Sequence, residues 1–252
     1  MAFIRAYKPS DFEDTAHIVS LPTSPPSHPA THTSPKCRAT LPPSLASSEA
    51  GRLLAPYIWT HQYTLLSPST CHVLDDGTGR VVGYCIGCPS VTSLAAAYPR
   101  YVAEVLETVP ELQGHRPRSL EAKASWNLPS GEVNEEALLQ QAWKAEWLVL
   151  GEERRGLWET WRGTMHIDLL EGWQGKGWGR RLIERFEGSL READESEGEG
   201  EGEGGRERVF GKGWHIGIGG ENEKVVRFYE KMGFRVWPSA EKGSIWMTKD
   251  IE

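Results

Sequence analysis

The sequence is poor in cysteine and contains no long hydrophobic run. Its 252 residues include four cysteines, Cys37, Cys71, Cys85 and Cys88, which are too few for a disulfide scaffold in a chain of this length. Only CIGC at 85–88 has the spacing of a metal or redox site, and because no second ligand pair accompanies it we expect reduced, partly buried thiols and no metal. No stretch reaches the length of a signal peptide core or a transmembrane helix, so we expect a soluble cytoplasmic or nuclear protein with no membrane partner.

Basic runs are missing as well. Lys and Arg together number 28 and Asp and Glu 35, which gives a net charge of −7 at pH 7. Proteins that bind nucleic acids usually carry a basic patch or tail, so we expect no nucleic-acid partner. An acidic surface is compatible with a cationic amine as substrate, but charge alone does not select that amine.

The sequence does contain a tight glycine cluster, in the segment EGWQGKGWGRRLIERF at 171–186. Gly175, Gly177 and Gly179 precede a stretch in which apolar residues recur at helical spacing, so they should lie at the N-terminus of an amphipathic helix. Glycine lets backbone amides approach a ligand closely, and the first amides of a helix attract anions. The letters match neither the P-loop nor the dinucleotide fingerprint. The cluster therefore predicts a phosphate or pyrophosphate site of another kind.

Two motifs taken together resemble those of the GNAT acyltransferases. Residues 174–179 spell Q-x-x-G-x-G, the pattern of motif A, and follow the strand-like segment MHIDLL. Residues 222–234, NEKVVRFYEKMGF, match the motif B pattern. This second segment has a helical apolar stripe, with Asn222 able to cap the start of the helix and Gly233 able to end it. The two motifs stand in the order expected for the family.

The resemblance implies a fold. It is strongest over 165–190 and 208–250, where HIDLL, WQGKGWGRRLI and GWHIGIGGEN are similar to the acetyltransferase-like proteins related to the C-terminal domain of O-GlcNAcase, a subgroup that includes members suspected of lacking catalysis. It implies the GNAT fold of the α/β (α+β) class: a mixed, mostly antiparallel sheet, splayed at its centre, with helices on both faces. The segment TCHVLDDGTGRVVGYCIGC predicts the second and third strands as a hairpin. One domain spanning residues 1–252 fits the length.

Three segments interrupt the pattern of that domain. Residues 20–48 are rich in Pro, Ser and Thr and predict a disordered, flexible insertion that buries little, with a proline-dependent docking site as the alternative. Residues at about 93–150 predict a helical insertion in which EEALLQQAWKAEWLVL forms one helix; it could cover the acceptor side of a cleft or serve as a structural flap. Residues 195–205, ESEGEGEGEGG, predict a solvated Glu/Gly linker.

The resemblance also implies acetyl-CoA as the acyl donor. In the family, the amides of motif A hold the pyrophosphate, and the backbone of the preceding strand pairs with the pantetheine. By position, the residues expected to bind the cofactor are Leu169, Gln174, Gly175, Lys176, Gly177, Trp178, Gly179, Arg180 and Asn222.

Acyl transfer to an amine needs a base for the amine and a proton for the departing thiolate. Tyr229 occupies the position of the family's acid beside the sulfur, with a core aromatic as the alternative role. Candidates for the base are His166 and Asp168, which stand two apart and so share one face of a strand, and His215 on the expected neighbouring strand. Glu146 is a further candidate.

The sequence thus favours an N-acetyltransferase that transfers acetyl from acetyl-CoA to a primary amine, on a small molecule or a peptide, by direct attack. The alternative is a non-catalytic binding module that keeps the fold and uses the helical insertion to hold a protein or sugar. The intact motif at 174–179 and Tyr229 favour the enzyme, whereas Glu171 stands where many members have proline. The acceptor and the oligomeric state stay open.

Overall fold

A computed structural model describes residues 1–21, 41, 45, 48–198, 207–239, 241 and 243–252. In these residues seven strands form one sheet with the order β1-β2-β3-β4-β5-β7-β6. The strands are Phe3–Ala6 (β1), His72–Asp75 (β2), Val81–Cys88 (β3), Gly163–Leu169 (β4), Gly213–Gly219 (β5), Arg235–Trp237 (β6) and Ser244–Asp250 (β7). All neighbouring pairs are antiparallel except β4 and β5, which are parallel. The prediction of a mixed, mostly antiparallel sheet is confirmed.

The β2–β3 hairpin forms around the DDGTG turn, as the sequence predicted. Gly77 and Gly79 have positive φ values of 96° and 98°, a conformation that glycine adopts without steric cost. Asp75 accepts hydrogen bonds from the amides of both glycines, at 2.8 and 3.1 Å. The hairpin places β3 inside the sheet, so Cys85 and Cys88 are fully buried rather than partly buried, and burial raises the pKa of both thiols.

β4 and β5 separate soon after they pair. Among the described residues, only Gly163 with Trp214 and Thr164 with His215 are in register, whereas β4 continues to Leu169 and β5 continues to Gly219. A gap therefore opens between the two central strands. This gap is the splay that the family resemblance implied.

Helices connect the strands and cover the sheet. They are Phe12–Ser20 (α1), Glu49–Trp59 (α2), His61–Leu66 (α3), Val91–Tyr101 (α4), Glu135–Trp143 (α5), Ala145–Val149 (α6), Arg155–Thr160 (α7), Trp178–Gly198 (α8) and Val226–Glu230 (α9). No helix in the described part of the chain is long and apolar enough to cross a lipid bilayer.

Alternating side chains of the strands enter two separate hydrophobic cores. Val73 and Tyr84 pack in the first core with side chains of α1, α2, α4, α5 and α6. Leu74 and Cys85 pack in the second core with side chains of α8 and α9. Because successive side chains of a strand point to opposite faces of the sheet, the helices lie on both faces, as predicted.

The helical insertion between β3 and β4 is present but differs in detail. The predicted single helix is broken into α5 and α6 at Lys144, whose backbone is extended (φ −132°, ψ 94°). Before α5 the chain forms a loop over residues 113–134, which the side chain of Gln140 holds in place. Gln140 donates to the carbonyl of Ser119 at 2.8 Å and accepts from the amide of Ala124 at 2.7 Å.

The two segments predicted to be flexible, 20–48 and 195–205, each contain residues that belong to the folded structure. Residues 195–198 belong to α8 rather than to a linker, because the helix continues past its last apolar turn; residues 199–205 lie outside the described residues. Most of 20–48 also lies outside them. Leu41 and Leu45, however, are only 2% and 3% exposed and belong to the first core. These two side chains are packed, whereas the prediction of a flexible insertion falls mostly on residues outside the described ones.

The motif B helix is shorter than predicted. Gly220–Val225 form a 3-10 helix and the α-helix begins only at Val226, so Asn222 does not occupy its cap position. The end of the helix is as predicted. Gly233 has a φ of 89°, and the amide of Phe234 returns to the carbonyl of Tyr229 at 3.0 Å.

Candidate functional site

A cleft of about 1370 Å³ opens in the gap between β4 and β5. The glycine loop, residues 174–179, forms one end of its wall, and side chains of the insertion such as Gln141 and Trp147 form the other. Tyr229 also lines it. The predicted cofactor loop and most of the predicted catalytic side chains therefore face one continuous space.

The backbone of β4 faces this gap at alternate residues. The amide of Leu170 donates to the carbonyl of Val82 at 2.9 Å. In an antiparallel ladder, residues bonded to one neighbour alternate with residues that face the opposite side. Ile167 and Leu169 therefore direct their N–H and C=O groups toward β5. The side chain of Gln174 agrees with this, because its Nε2 reaches the Leu169 carbonyl at 2.7 Å.

β5 presents backbone groups to the gap from the other side. The amide of Ile251 donates to the carbonyl of Lys212 at 2.9 Å, so the same alternation directs Gly217 and Gly219 toward β4. Backbone groups that face each other across a gap too wide to bridge need other partners. An extended ligand with amide groups can supply them from within the gap.

The glycine loop leaves open space above its backbone. Gly175 and Gly177 have φ values of 70° and 82°, and a Cβ on either would have no atom within 4 Å. α8 begins at Trp178, and the amide of Arg181 donates to the Gly177 carbonyl at 3.3 Å. The amides of Trp178 and Gly179 therefore precede the helical ladder and are available to an anion.

Gln174 carries an unused acceptor beside the loop. Its Nε2 donates to Leu169, but its Oε1 is buried and has no hydrogen-bond partner within the described chain. A buried acceptor left unpaired costs about 1–3 kcal/mol. A ligand N–H group in the gap would remove that cost, so this residue fits an amide-bearing ligand.

Four cations line the same part of the cleft. They are Arg180 at the start of α8 and Lys224, Arg227 and Lys231 from the segment that contains α9. α9 lies close to the loop, since a Cβ on Gly179 would be 3.5 Å from Phe228. None of the four forms an ion pair with a described residue. The whole chain has a net charge of −7, so this local excess of positive charge is opposite in sign to the charge of the protein. This end of the cleft is suited to a polyanion.

Tyr229 lies at the end of α9 and is half-buried. Its ring contacts Phe228 and Phe234 edge-on, with centroids 5.2 and 5.5 Å apart. It lines the cleft as well. Its position is compatible with either of the roles considered from the sequence, an acid or a packed aromatic.

His166 and Asp168 share one face of β4, as predicted, and both are bonded to Tyr84 of β3. The Tyr84 hydroxyl donates to Asp168 Oδ2 at 2.8 Å and lies 3.0 Å from His166 Nδ1. His166 Nδ1 is 3.7 Å from the same Asp168 oxygen. Asp168 is only 3% exposed, whereas 27% of the His166 side chain is accessible. Loss of hydration lowers the pKa of His166 to about 4, so its imidazole is neutral at pH 7.

His215 lies on the same sheet face, beside the point where the strands part. Its backbone carbonyl accepts from the Thr164 hydroxyl at 3.0 Å, and its Nδ1 donates to the carbonyl of Trp161 at 2.5 Å. Burial lowers the pKa of His215 to about 4. His215 is therefore neutral at pH 7, and its hydrogen bond to Trp161 leaves Nε2 unprotonated.

An aromatic and charged cluster forms the wall beyond His215. The indole of Trp246 lies against Gly217, where a Cβ would be only 2.8 Å from the ring. The Arg154 guanidinium stacks on that indole at 4.3 Å. Glu241 joins the two, 3.2 Å from Arg154 and accepting from the indole nitrogen at 2.9 Å. This cluster connects the helical insertion to the turn between β6 and β7.

Four predicted residues do not line the cleft. Lys176 and Trp178 stand between the lining glycines of the loop but are not part of the cleft wall, and Lys176 is exposed. Glu146 is exposed on α6, and the residues of that helix that line the cleft are Trp147, Leu148 and Val149. Asn222 lies in the 3-10 helix before α9, and its side chain lies outside what the structure describes. In the described chain, no group of three or more His, Cys, Asp or Glu residues could hold a metal ion.

The site also contains residues that the sequence did not single out. Tyr84, Trp161 and Arg154 contact the cleft groups from elements distant in the chain, and no local pattern marks them. Arg227 and Lys231 could have been noticed, because they stand on either side of the FY pair of motif B. A helix that flanks an anion site is expected to carry such cations.

Comparison with known proteins supports the fold. No family model and no curated protein matches the sequence. Among solved structures, SsHAT is similar with a TM-score of 0.65 and 21% identity over 98% of this chain and 96% of that chain. PH1933 from Pyrococcus horikoshii OT3 has a TM-score of 0.49 and 12% identity, over 100% and 99%. The putative acetyltransferase yncA from Salmonella typhimurium, solved with its cofactor acetyl-CoA, has a TM-score of 0.42 and 13% identity, over 100% and 95%. The similarity to SsHAT shows that the chain has the GNAT fold.

Proposed function

We propose that this protein transfers the acetyl group of acetyl-CoA to a primary amine by direct attack of the amine on the thioester. The observation that carries the proposal is the gap between β4 and β5. It exposes backbone groups of both strands, ends at an open glycine loop, and passes beneath titratable side chains. An extended cofactor with an anionic end and amides along its length is complementary to each of these features.

The residues present fit that cofactor. The amides of Gly175, Gly177, Trp178 and Gly179 would bind the pyrophosphate, helped by the charges of Lys176 and Arg180. The outward-facing backbone of Leu169 and the unpaired Oε1 of Gln174 would bind the pantetheine amides. Acetyl-CoA would supply the acyl group and a thiolate as leaving group.

The side chains of this chain then have distinct tasks. Tyr229 would give a proton to the thiolate, since it lines the cleft from the end of α9. His166, Asp168 and His215 share the sheet face across the gap, and one of them would take the proton of the attacking amine. Both histidines are neutral at pH 7, because burial lowers their pKa, so each has an unprotonated ring nitrogen that can accept a proton. Glu146 is the weakest candidate, because its side chain is exposed and outside the cleft wall.

Two measurements test the proposal. Calorimetric titration with acetyl-CoA should show saturable binding, with free coenzyme A as the matched ligand that lacks only the acetyl group. Thiol release should then be measured against amines, aminoglycosides, amino sugars and peptides, with mass spectrometry of the acceptor to show one added acetyl group. No binding of either ligand would refute the cofactor site. Binding without turnover on any acceptor would support a non-catalytic module instead.

A further inference from the structure

The most closely connected polar group in the cleft is the trio Tyr84, His166 and Asp168. Tyr84 and Asp168 are register partners on β3 and β4, so their side chains leave the same face of the sheet beside each other. The rings of Tyr84 and His166 stack at 5.8 Å with an interplanar angle of 22°. The phenol oxygen consequently touches both the carboxylate, at 2.8 Å, and the imidazole, at 3.0 Å.

The single hydrogen of the Tyr84 hydroxyl determines which atom donates in each of its two contacts. A phenol has one hydrogen to donate and lone pairs to accept. Tyr84 gives its hydrogen to Asp168, the stronger acceptor, and burial beside that carboxyl group raises the Tyr84 pKa far above its ordinary value, so the hydrogen is retained. The contact at His166 is then favourable only if Nδ1 carries a hydrogen and donates it to the phenol oxygen. In a neutral imidazole this leaves Nε2 unprotonated.

Nε2 of His166 is the atom that remains for a ligand. It makes no hydrogen bond to the part of the chain that the structure describes, and it is not among the buried polar atoms without a partner. It is therefore accessible from the cleft. The two competing groups are less accessible: Asp168 is 3% exposed and engaged by Tyr84, and His215 is 4% exposed.

We infer that Tyr84 is a positioning residue that holds His166 in the Nδ1–H tautomer, and that His166 Nε2 is the proton acceptor of the proposed reaction. The catalytic half of this inference depends on the proposed function; the tautomer does not. One proton moves from the acceptor ammonium to Nε2, and the electron pair left on the amine nitrogen becomes the nucleophile. The resulting imidazolium donates its Nδ1–H to the Tyr84 oxygen, and Tyr84 in turn donates to Asp168, so the carboxylate stabilises the positive charge. The proton on Nε2 is later released to solvent.

The tautomer can be measured without any acceptor. In the full chain labelled with 15N at its eight histidines, long-range 15N–1H correlation separates protonated from unprotonated ring nitrogens, and His166→Gln identifies the signal by its loss. At neutral pH we expect a protonated Nδ1 and an unprotonated Nε2 in the wild type. A protonated Nε2 would overturn the inference.

Tyr84→Phe tests the cause. We expect the tautomer preference of His166 to weaken or reverse, and turnover to fall at least about tenfold with unchanged acetyl-CoA affinity. The matched control is Tyr98→Phe, another fully buried tyrosine of the first core, whose hydroxyl donates to the Ala142 carbonyl at 2.8 Å; it should change neither quantity. Should Tyr84→Phe not fold, Asp168→Asn replaces it, with the same loss of tautomer preference expected. An unchanged tautomer in a folded variant would refute the role of Tyr84.

The two proposals fail differently. Wild-type protein with the expected tautomer but no turnover on any amine would refute the proposed function and the role of His166 as base, while the Tyr84 contact would stand. Turnover that survives in His166→Gln would refute the base assignment and leave the acetyltransferase in place.

Discussion

Replacing Gly177 with aspartate perturbs the proposed cofactor loop with little effect on the rest of the fold. A side chain at this position points into open space, because no atom lies within 4 Å of its Cβ. The φ of 82° is a left-handed conformation, which costs an ordinary residue about 1–2 kcal/mol but is tolerated comparatively well by Asp. We therefore expect Gly177→Asp to fold with a modest loss of stability.

The effect on acetyl-CoA binding should be larger. The loop is exposed, so repulsion between the new carboxylate and a phosphate takes the solvent-screened value of about 1 kcal/mol at 4 Å. Displacement of one amide–phosphate hydrogen bond costs about 1.5 kcal/mol more. Together these predict an affinity loss of about 10- to 100-fold.

The matched control is Gly172→Asp. Gly172 lies two residues before the glycine loop, in the 3-10 helix Glu171–Trp173. It is exposed, has open space around its Cβ and has no left-handed φ. The Gly172→Asp variant adds the same charge away from the predicted pyrophosphate contact. Its affinity for acetyl-CoA should therefore stay within about threefold of the wild-type affinity. Calorimetry on the three folded proteins, repeated at higher salt to screen the repulsion, gives the comparison. Equal affinities for Gly177→Asp and the wild type would show that the loop does not bind the pyrophosphate.

Three further predictions concern the acid, the sheet and pH. Tyr229→Phe should lower kcat by about 100-fold with little change in acetyl-CoA affinity, because a proton to the thiolate is needed only as the C–S bond breaks; loss of affinity instead would make the hydroxyl a ligand anchor. Gly87→Ala should lower the free energy of unfolding by about 3 kcal/mol or more, since its Cβ would lie 2.1 Å from the Thr164 carbonyl oxygen. Gly156→Ala, in open space on α7, should be neutral or slightly stabilising in the same urea titration, and equal effects would contradict the packing argument. Burial lowers the pKa of His72 to about 4, below its unfolded value, so the unfolded chain binds more protons and the free energy of unfolding falls as the pH drops from about 6.5 toward 4. The urea midpoint should therefore fall more between about pH 7.5 and pH 5 in the wild type than in His72→Phe. An equal fall in both proteins would mean that other groups cause the loss of stability at low pH.

Local features of the sequence were sufficient for much of the fold. The hairpin around DDGTG, the glycine loop before α8 and the glycine that ends α9 each depend on residues a few positions apart, and all three are present. The conjunction of motifs A and B predicted the GNAT fold and the splay between β4 and β5. Patterns of this kind are readable because turn geometry, capping and side-chain periodicity act over a single element.

Local pattern was weakest where an element ends or where its side chains find distant partners. The predicted helix EEALLQQAWKAEWLVL breaks at Lys144, although its composition favours helix throughout, because packing against the first core overrides propensity. Leu41 and Leu45 are also buried, because they pack into the first core, although the composition of the surrounding stretch predicts little burial.

The sequence by itself determined that three glycines lie at the N-terminus of α8 and that His166 and Asp168 share a strand face. Only the tertiary structure decided what those side chains touch. Tyr84 reaches Asp168 across 84 positions of the chain, and Trp161 reaches His215 across 54. These contacts depend on the register of β3 against β4 and on the point at which β4 leaves β5. A shift of one residue in either would turn the side chains to the opposite face of the sheet, and register is set by the packing of both cores at once.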